Sequence, residues 1–546
     1  MDKLKTSRKR EQQLEHLSPF ELKDNLIKLA EEENKRLHWT MLNAGRGNPN
    51  WIATAPREAF FALGQFGLQE CRIPMDKPVG LAGIPGKKGI GKRFEDFIKE
   101  NPKLPGIDLL SGIYRYGLQS CGFDADTWAL ELAEGIMGDQ YPTPDRMLTC
   151  TERIVHDYLI QEMCQGQVTL SGKYDLFATE GGTAAMCYVF DSLLENGLLK
   201  KGDRIALGVP TFTPYLEIPE LDRYQFRVTY IEGSEKDNQG NSTFQYPDSE
   251  LDKLRDPSIK AFFVINPSNP TSVEICPHCR NYLIGVVRDH NPKLMILTDD
   301  VYGTFVPGFV SLMRDLPRNT ICVYSFSKYF GATGWRCGVI ALHQDNIYDE
   351  MLAAAPQEEK DRLAKLYESL TLRPDRLKFI DRLVADSRQV ALNHTAGLST
   401  PQQIQMMLFA GFALLDKKGE YKKACIDLIQ HRYELLWEGM KLPVTPDPDR
   451  AGYYSEIDIE EWALKNHGQA FMDWMKKNFE PVDVVFRLAE KCHVVLLNGG
   501  GFAGPEWSVR VSLANLDDES YTIIGKTLSA TMNEYVEAWQ ASPNKS

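Results

Sequence analysis

No stretch of this 546-residue chain approaches the roughly 18 consecutive apolar residues that a membrane-spanning helix needs. The opening residues, MDKLKTSRKREQQLEHLSPF, also lack the apolar core of a secretory signal. Both absences lead to the expectation of a cytoplasmic protein with no membrane partner. Positive charge is in deficit, with 62 Lys+Arg against 75 Asp+Glu and a formal charge of −13, which argues against nucleic acid as a partner. Cys276-Pro-His-Cys279 resembles half of a zinc or redox motif, but no second CxxC supplies the remaining ligands, so no metal is expected. The pair reads as structural, near a helix start. In a reducing compartment the 11 scattered cysteines should be free thiols. Apolar residues are not scarce: at 43% of the chain they exclude disorder as the main state. The length allows more than one domain of about 100–200 residues.

Residues 1–40 are charged and helical in pattern, with Ser18-Pro19 as a helix start. From 43 to 110 the chain is rich in Gly and Pro and reads as loops with short elements. Two amphipathic helices are expected over 126–165, on either side of Tyr141-Pro-Thr-Pro144. Seven short apolar runs then follow: Tyr174–Ala178, Arg204–Val209, Arg227–Ile231, Ala261–Ile265, Leu294–Leu297, Thr320–Tyr324 and Gly338–Leu342. Most are followed by a helix-sized gap, which predicts a mainly parallel sheet. The expected fold class is α/β: a large, mainly parallel seven-stranded sheet domain with helices on both faces, plus a smaller α+β domain from both chain ends. The expected division is N-terminal helices and part of the small domain over 1–110, the large domain over 111–395 with a helical insertion near 345–395, and the rest of the small domain over 396–546. Strands are expected at His493–Leu497 and Ser508–Leu513.

Two motifs mislead. Gly86-Lys-Lys-Gly-Ile-Gly91-Lys92-Arg93 approaches a phosphate-binding P-loop, but Arg93 stands where a magnesium-binding Ser or Thr is needed. Gly499-Gly-Gly501-Phe-Ala-Gly504 matches G-x-G-x-x-G, yet Pro505 and another strand follow where a dinucleotide fold requires a helix. The first reads as a basic turn before a helix, the second as a bend between strands.

The informative residues sit at the carboxyl ends of the expected strands, where open α/β sheets bind ligands. Ser325-Phe-Ser-Lys328 follows one strand, and a lysine there, among small hydroxyl residues, suits Schiff-base chemistry. Ser325, Ser327 and Arg336 can together hold a dianionic phosphate. Asp299 ends another strand, where a carboxylate can keep a pyridine nitrogen protonated, and Tyr302 follows three residues later. Asn269 lies in the rigid turn Asn266-Pro-Ser-Asn-Pro270. Gly181-Gly182-Thr183 joins a strand to a helix, whose N-terminal N–H groups suit an anion.

In this order the motifs resemble the fold-type-I pyridoxal-phosphate enzymes of the aspartate aminotransferase superfamily. Asn269, Asp299 and Lys328 fall 30 and 29 residues apart, and Arg336 8 further on, spacings that also fit. The resemblance spans about residues 40 to 535. It implies pyridoxal 5′-phosphate as cofactor, bound covalently by Lys328. Asp299 would meet the ring nitrogen, and Asn269 and Tyr302 the phenolate oxygen. Gly182, Thr183, Ser325, Ser327 and Arg336 would surround the phosphate. Phe212 would stack on the ring, and Tyr141 would reach the phosphate of a neighbouring subunit. Arg510 would grip the substrate α-carboxylate.

The chain is longer than ordinary members of that superfamily. Its extra segments, with Asn43-Ala-Gly-Arg46-Gly47-Asn-Pro-Asn-Trp51 and Gly138-Asp-Gln-Tyr141, look like the aspartate 4-decarboxylase family. That resemblance implies release of CO2 from L-aspartate to give L-alanine, with aspartate transamination as a side activity; an aminotransferase using a 2-oxo acid is the alternative. The resemblance also implies that Arg46 and Gly47 belong to a segment lining the substrate side chain, where Arg46 could meet the distal carboxylate. A homodimer is implied as the minimum unit, with larger assemblies of dimers.

Overall fold

The structure is a computed structural model that describes residues 2–37, 41–388 and 397–542. Short pairings come first in the chain: β1 (Leu42–Asn43), and the hairpin of β2 (Asp76–Lys77) and β3 (Leu81–Ala82). The main sheet follows with β4 (Tyr174–Thr179), β5 (Arg204–Val209), β6 (Arg227–Glu232), β7 (Ile259–Ile265), β8 (Met295–Asp299), β9 (Thr320–Ser325) and β10 (Gly338–His343). These are the seven apolar runs of the sequence, with ends that agree to within two residues: β5 is unchanged, β8 starts one residue later, and the other ends move outward by at most two. Their order is β4-β10-β9-β8-β7-β5-β6. Only β10 runs against its neighbours, so β4 points the same way as the other five and six carboxyl ends gather at one edge.

Alternation along a strand sends successive side chains to opposite faces, and β7 divides accordingly. Ala261, Phe263 and Ile265 join the larger core, which also holds Met295 and Leu297. Phe262 and Val264 join a second core with Ile296, beneath the helix Pro277–Asp289. Both faces are therefore covered, as a parallel sheet requires.

The remaining strands are β11 (Tyr454–Asp458), β12 (Val494–Val495), β13 (Leu497–Asn498) and β14 (Ser508–Ser512). The order β11-β14-β13 is antiparallel, and β1 pairs in parallel with β12, tying the N-terminal segment to the C-terminal one. Helices Glu420–Met440 and Asp518–Gln540 pack together at Gly439 and Gly525, where a Cβ on Gly525 would lie 2.2 Å from the Leu436 carbonyl oxygen. The first N-terminal helix is Asp2–Leu14, and the second begins at Pro19 as read from the sequence and packs on Asp483–Cys492.

Residues 43–110 differ from the expectation of loops. They contain helices Ala55–Arg72 and Ile90–Glu100 and the start of Ile107–Gln119. The Gly and Pro residues punctuate these helices rather than preclude them. Pro56 sits in a first turn, and Gly89 and Gly106 precede helices with φ of +75° and +79°. In the P-loop-like turn, the Gly89 and Gly91 amides donate to Asp126 at 2.9 Å, and Arg93 pairs with buried Glu70 at 2.6 Å. Gly500–Phe502 forms a single turn between β13 and β14, so the G-x-G-x-x-G segment is a bend between strands. The insertion carries helices Ile347–Ala353, Gln357–Leu366 and Phe379–Ser387. The expected boundary between 395 and 396 lies outside the described residues.

No helix among the described residues is long and apolar enough to cross a membrane.

Candidate active site

A cavity of about 330 Å³ opens at the gathered strand ends. Five of the six strands deliver part of its wall: Asp299 ends β8, Ser325 ends β9 with Ser327 and Lys328 just beyond, Asn269 follows β7, Phe212 follows β5, and Gly182 and Thr183 follow β4. β10 starts at this edge because it runs backward: Gly338 is in register with both Thr179 and Ser325. Arg336, two residues earlier, therefore reaches the same wall. Gly47, Tyr302 and Arg510 complete the predicted residues that line the cavity.

Lys328 Nζ projects into the cavity and donates to the Gly47 carbonyl at 2.9 Å, an oxygen that also accepts from Tyr453 Oη at 2.9 Å. The loop after Lys328 is braced from the N-terminal segment. Trp51 Nε1 donates to Tyr329 O at 3.2 Å, and Arg57 reaches the carbonyls of Phe330 and Gly331 at 3.1 and 2.6 Å. A Cβ at Gly47 would lie 2.6 Å from Tyr454 Oη and 3.2 Å from Lys328 Nζ, so glycine is the residue that leaves the amine its place.

Asp299 is 8% exposed. Its Oδ2 accepts from Tyr215 Oη at 2.8 Å and its Oδ1 from the Val301 amide at 3.3 Å. Burial raises its pKa above the usual carboxylate value; the Tyr215 hydroxyl, the Val301 amide and the Lys328 charge oppose that. Tyr302 Oη lies 3.0 Å from Tyr454 Oη, and burial holds its phenol protonated well past its ordinary range.

On the opposite side, the helix Gly182–Glu195 begins with no side-chain cap, leaving its first amides free for an anion. Gly181 has φ +98° and ψ 170°, a region essentially closed to other residues. A Cβ there would come within 2.4 Å of Arg336 Nη2. Arg336 donates to Thr333 O at 2.8 Å and Glu180 O at 3.3 Å, so it bridges the two loops. Ser325 Oγ donates to Ser327 Oγ at 2.9 Å.

Arg510, 1% exposed on β14, lies between the rings of Tyr454 and Phe502, its guanidinium carbon 4.2 and 5.0 Å from their centroids. Nη1 donates to Asn269 Oδ1 and Nη2 to Gly45 O, both at 3.0 Å, and Nε has no hydrogen-bond partner among the described residues.

Two predicted residues stand apart. Arg46 is exposed beside Gly47 and has no ion pair among the described residues. Tyr141 is 77% exposed after the helix Ala125–Met137 and does not line the cavity. Other residues of the site carry little signal in the sequence. Phe20 reaches the cavity from the second N-terminal helix, its ring 5.6 Å from that of Phe212. Tyr215, Tyr453 and Tyr454 hold the polar groups just described. Aromatic residues at such positions read as core, and only the proline-framed Pro210-Thr-Phe-Thr-Pro-Tyr215 turn after a strand marks one of them. A larger groove of about 760 Å³ runs along β11 between the segment 235–245 and the loop 442–450, sharing Tyr454 with the cavity but neither the lysine nor the glycine-rich turn.

The description "aminotransferase class I and II" fits residues 106–527 of the chain. A bifunctional aspartate aminotransferase and L-aspartate beta-decarboxylase from Pseudomonas sp is 48% identical over 529 residues, covering 97% of this chain and 98% of its own. An aspartate aminotransferase from Pyrococcus horikoshii is 28% identical over 171 residues, 30% of this chain and 40% of its own. Among solved structures, a double mutant of Thermus thermophilus aspartate aminotransferase matches with a TM-score of 0.56 at 16% identity, over 92% of this chain and 95% of that one. An aromatic aminotransferase from Pyrococcus horikoshii matches with a TM-score of 0.54 at 16% identity, over 92% and 98%. At such identities the structural likeness speaks for the fold.

Proposed function

The chain belongs to the class I and II aminotransferase family, and on that premise we propose that it removes the β-carboxylate of L-aspartate as CO2 to leave L-alanine, with aspartate transamination as a side activity. The observation that carries the reading is the likeness at 48% identity, along nearly the whole of both chains, to a relative named for both activities.

Members of this family use pyridoxal 5′-phosphate, and the residues fit such a group. An amine, a buried carboxylate and an uncapped helix start beside Arg336 face one cavity, and Gly47 and Gly181 leave space that a Cβ would fill. Lys328 would bind the cofactor covalently through Nζ. Asp299 would meet the ring nitrogen, and Asn269 and Tyr302 the ring oxygen. Gly182, Thr183, Ser325, Ser327 and Arg336 would take the phosphate, and Phe212 would cover the ring. When bound, the cofactor supplies an electron sink for the substrate's Cα and, one carbon further, for the bond to the departing carboxylate.

The protein's own groups do the rest. Arg510 offers two N–H groups to the substrate α-carboxylate, a fork already orientated by Asn269 and Gly45. With its amine free, Lys328 Nζ would take the Cα proton as general base. Asp299 is held in place by the Tyr215 hydroxyl and the Val301 amide. Arg46 orients the β-carboxylate. A tight clamp on a leaving carboxylate would stabilise the ground state and slow the loss of CO2, so an exposed, solvated cation suits this task better than a buried one. In keeping with the family, the working unit is a homodimer or an assembly of dimers, in which Tyr141 reaches the partner's phosphate site.

Product analysis with L-aspartate as sole substrate tests the reading. Sustained release of CO2 and L-alanine without any added 2-oxo acid is expected; turnover that stops after one equivalent and resumes only with a 2-oxo acid would make the protein an aminotransferase. Lys328→Ala should lose both turnover and the visible absorbance of the attached cofactor.

A further inference from the structure

Cys276-Pro-His-Cys279 takes no part in the site above. Cys276 is the N-cap of the 13-residue helix Pro277–Asp289, and its Sγ accepts the Cys279 N–H at 3.4 Å. The two sulfurs lie 3.3 Å apart. Cys276 is partly exposed, with exposed Pro277 and His278 beside it, whereas Cys279 is 0% exposed and its Sγ–H also reaches Tyr246 O at 3.2 Å. One sulfur thus belongs to a partly exposed residue at a helix start, and the second lies within contact distance on a buried one.

We propose that Cys276 and Cys279 form a reversible dithiol–disulfide pair that exchanges with small-molecule disulfides, Cys276 attacking and Cys279 resolving. The Cys276 thiolate attacks one sulfur of the oxidant RSSR, giving a Cys276–S–SR mixed disulfide and releasing RS⁻. Cys279 then gives up its proton, and its sulfur attacks Cys276 Sγ. The Cys276–Cys279 bond forms and the second RS⁻ leaves. The dithiol is oxidised by two electrons, and RSSR is reduced to two thiols after protonation. Contact must shorten only to the bond length of about 2.0 Å.

The local charge favours this division of labour. The Cys276 thiol is held below its ordinary pKa by the Cys279 side chain and by the amides of Cys279 and His278, against burial and the charge of Asp449. Cys279 is pushed up by Cys276 and by burial, with Glu235 adding to it. His278, on the same turn, pairs with Asp248 at 2.9 Å. The half-buried thiols of Cys71, Cys187 and Cys492 are pushed up by burial instead.

The test uses the full-length holoenzyme incubated with oxidised glutathione, then alkylated and mapped by peptide mass spectrometry. The expected result is loss of two hydrogens from the peptide holding both cysteines, restored by dithiothreitol. Cys279→Ser should trap glutathione on Cys276, and Cys276→Ser should leave Cys279 unmodified. Reduced Cys276 should alkylate about 10-fold or more faster than Cys71 near neutral pH. The proposal is overturned if both thiols remain alkylatable in the wild-type protein after the oxidant, or if Cys71, Cys187 or Cys492 reacts as fast as Cys276. The wild-type measurement decides the matter even if a variant folds poorly.

Discussion

Glu456 and Arg510 stand opposite each other in the pairing of β11 with β14, so the arginine assigned to the substrate α-carboxylate has a buried acid as its cross-strand neighbour. Glu456 is 8% exposed; one carboxylate oxygen accepts from Ser508 Oγ, and the other has no hydrogen-bond partner among the described residues. Burial pushes its pKa up to about 7, with Asp458 adding to the effect and the Ser508 hydroxyl and the Arg510 charge opposing it.

The pH dependence follows with a definite sign. A carboxyl whose folded-state pKa lies above its ordinary 4.5 binds its proton more tightly in the folded protein. The stability it contributes is complete below about pH 4.5 and is lost as pH rises through about 7. The loss amounts to roughly 3 kcal/mol for a shift of this size. Glu456→Gln removes the titration, so the variant should gain Tm over wild type as pH is raised from about 5 to about 8. Thermal unfolding at both ends of that range checks it; a gap that does not change with pH would contradict the account.

Tyr215 supplies the one side-chain hydrogen bond to Asp299 among the described residues, at 2.8 Å. Tyr215→Phe keeps the ring in the core but leaves a buried carboxylate oxygen without its donor, a loss of about 1.5–3 kcal/mol for a charged acceptor. The Asp299 pKa should rise further, and the charged form that suits a protonated pyridine ring should weaken. The expected outcome is turnover lowered about 10- to 100-fold, with the apoprotein's Tm lowered as well, because the buried acid either keeps its charge without the donor or must take up a proton. Steady-state kinetics and a spectrophotometric titration of the bound cofactor check both halves; unaltered spectra and kcat would free Asp299 from dependence on Tyr215.

How much of the molecule is legible in its sequence depends on what each segment buries. β7 and β8 lie inside a covered sheet, so Ala261–Ile265 and Leu294–Leu297 appear as plain apolar runs. The motifs after them are short-range, so Asn269, Asp299 and Lys328 stand out as an ordered set of motifs, and their roles are what the family resemblance implies. β11 escapes such a reading because Tyr-Ser-Glu-Ile-Asp is polar in pattern; its Ser455 and Glu456 are buried by partners that come from far along the chain, Trp437 and Ser508. Phe20 meets Phe212 across 192 positions, a contact that no local pattern encodes. The helices of 55–119 are hidden by their own punctuation, since Gly89 and Gly106 start helices where glycine suggests a loop.

Arg46 lies next to Gly47, whose carbonyl holds Lys328, yet its own side chain is exposed and has no ion pair among the described residues. Arg46→Ala should therefore stay within about 0.5 kcal/mol of wild type in stability, as for most exposed positions. If Arg46 orients the β-carboxylate, kcat/KM for L-aspartate should fall about 10- to 100-fold, the range of a charge-assisted hydrogen bond. The half-reaction with L-alanine, which has no second carboxylate, should not change. Equal effects on both amino acids would assign Arg46 a structural part, and an unchanged kcat/KM for L-aspartate would remove it from the site.

Gly181 separates two demands that a single substitution confounds elsewhere. Its φ of +98° makes any side chain strained by about 1–3 kcal/mol. Its missing Cβ also leaves room for Arg336 Nη2, which would otherwise be 2.4 Å away. Gly181→Ala should lower the apoprotein's Tm and displace the guanidinium from the uncapped helix start, weakening cofactor binding by about 10-fold or more, since a charge-assisted contact is worth about 1.5–3 kcal/mol. Gly182→Ala is the control for the backbone cost. That position has an ordinary φ, and its Cβ would meet Ser325 Cβ at 3.5 Å, an ordinary contact. Its apoprotein should keep the wild-type Tm, because alanine suits a first helical turn. Equilibrium titration of each apoprotein with pyridoxal 5′-phosphate, alongside thermal unfolding, separates the two effects; a Gly181→Ala protein that binds the cofactor as tightly as wild type would take Arg336 out of the phosphate site.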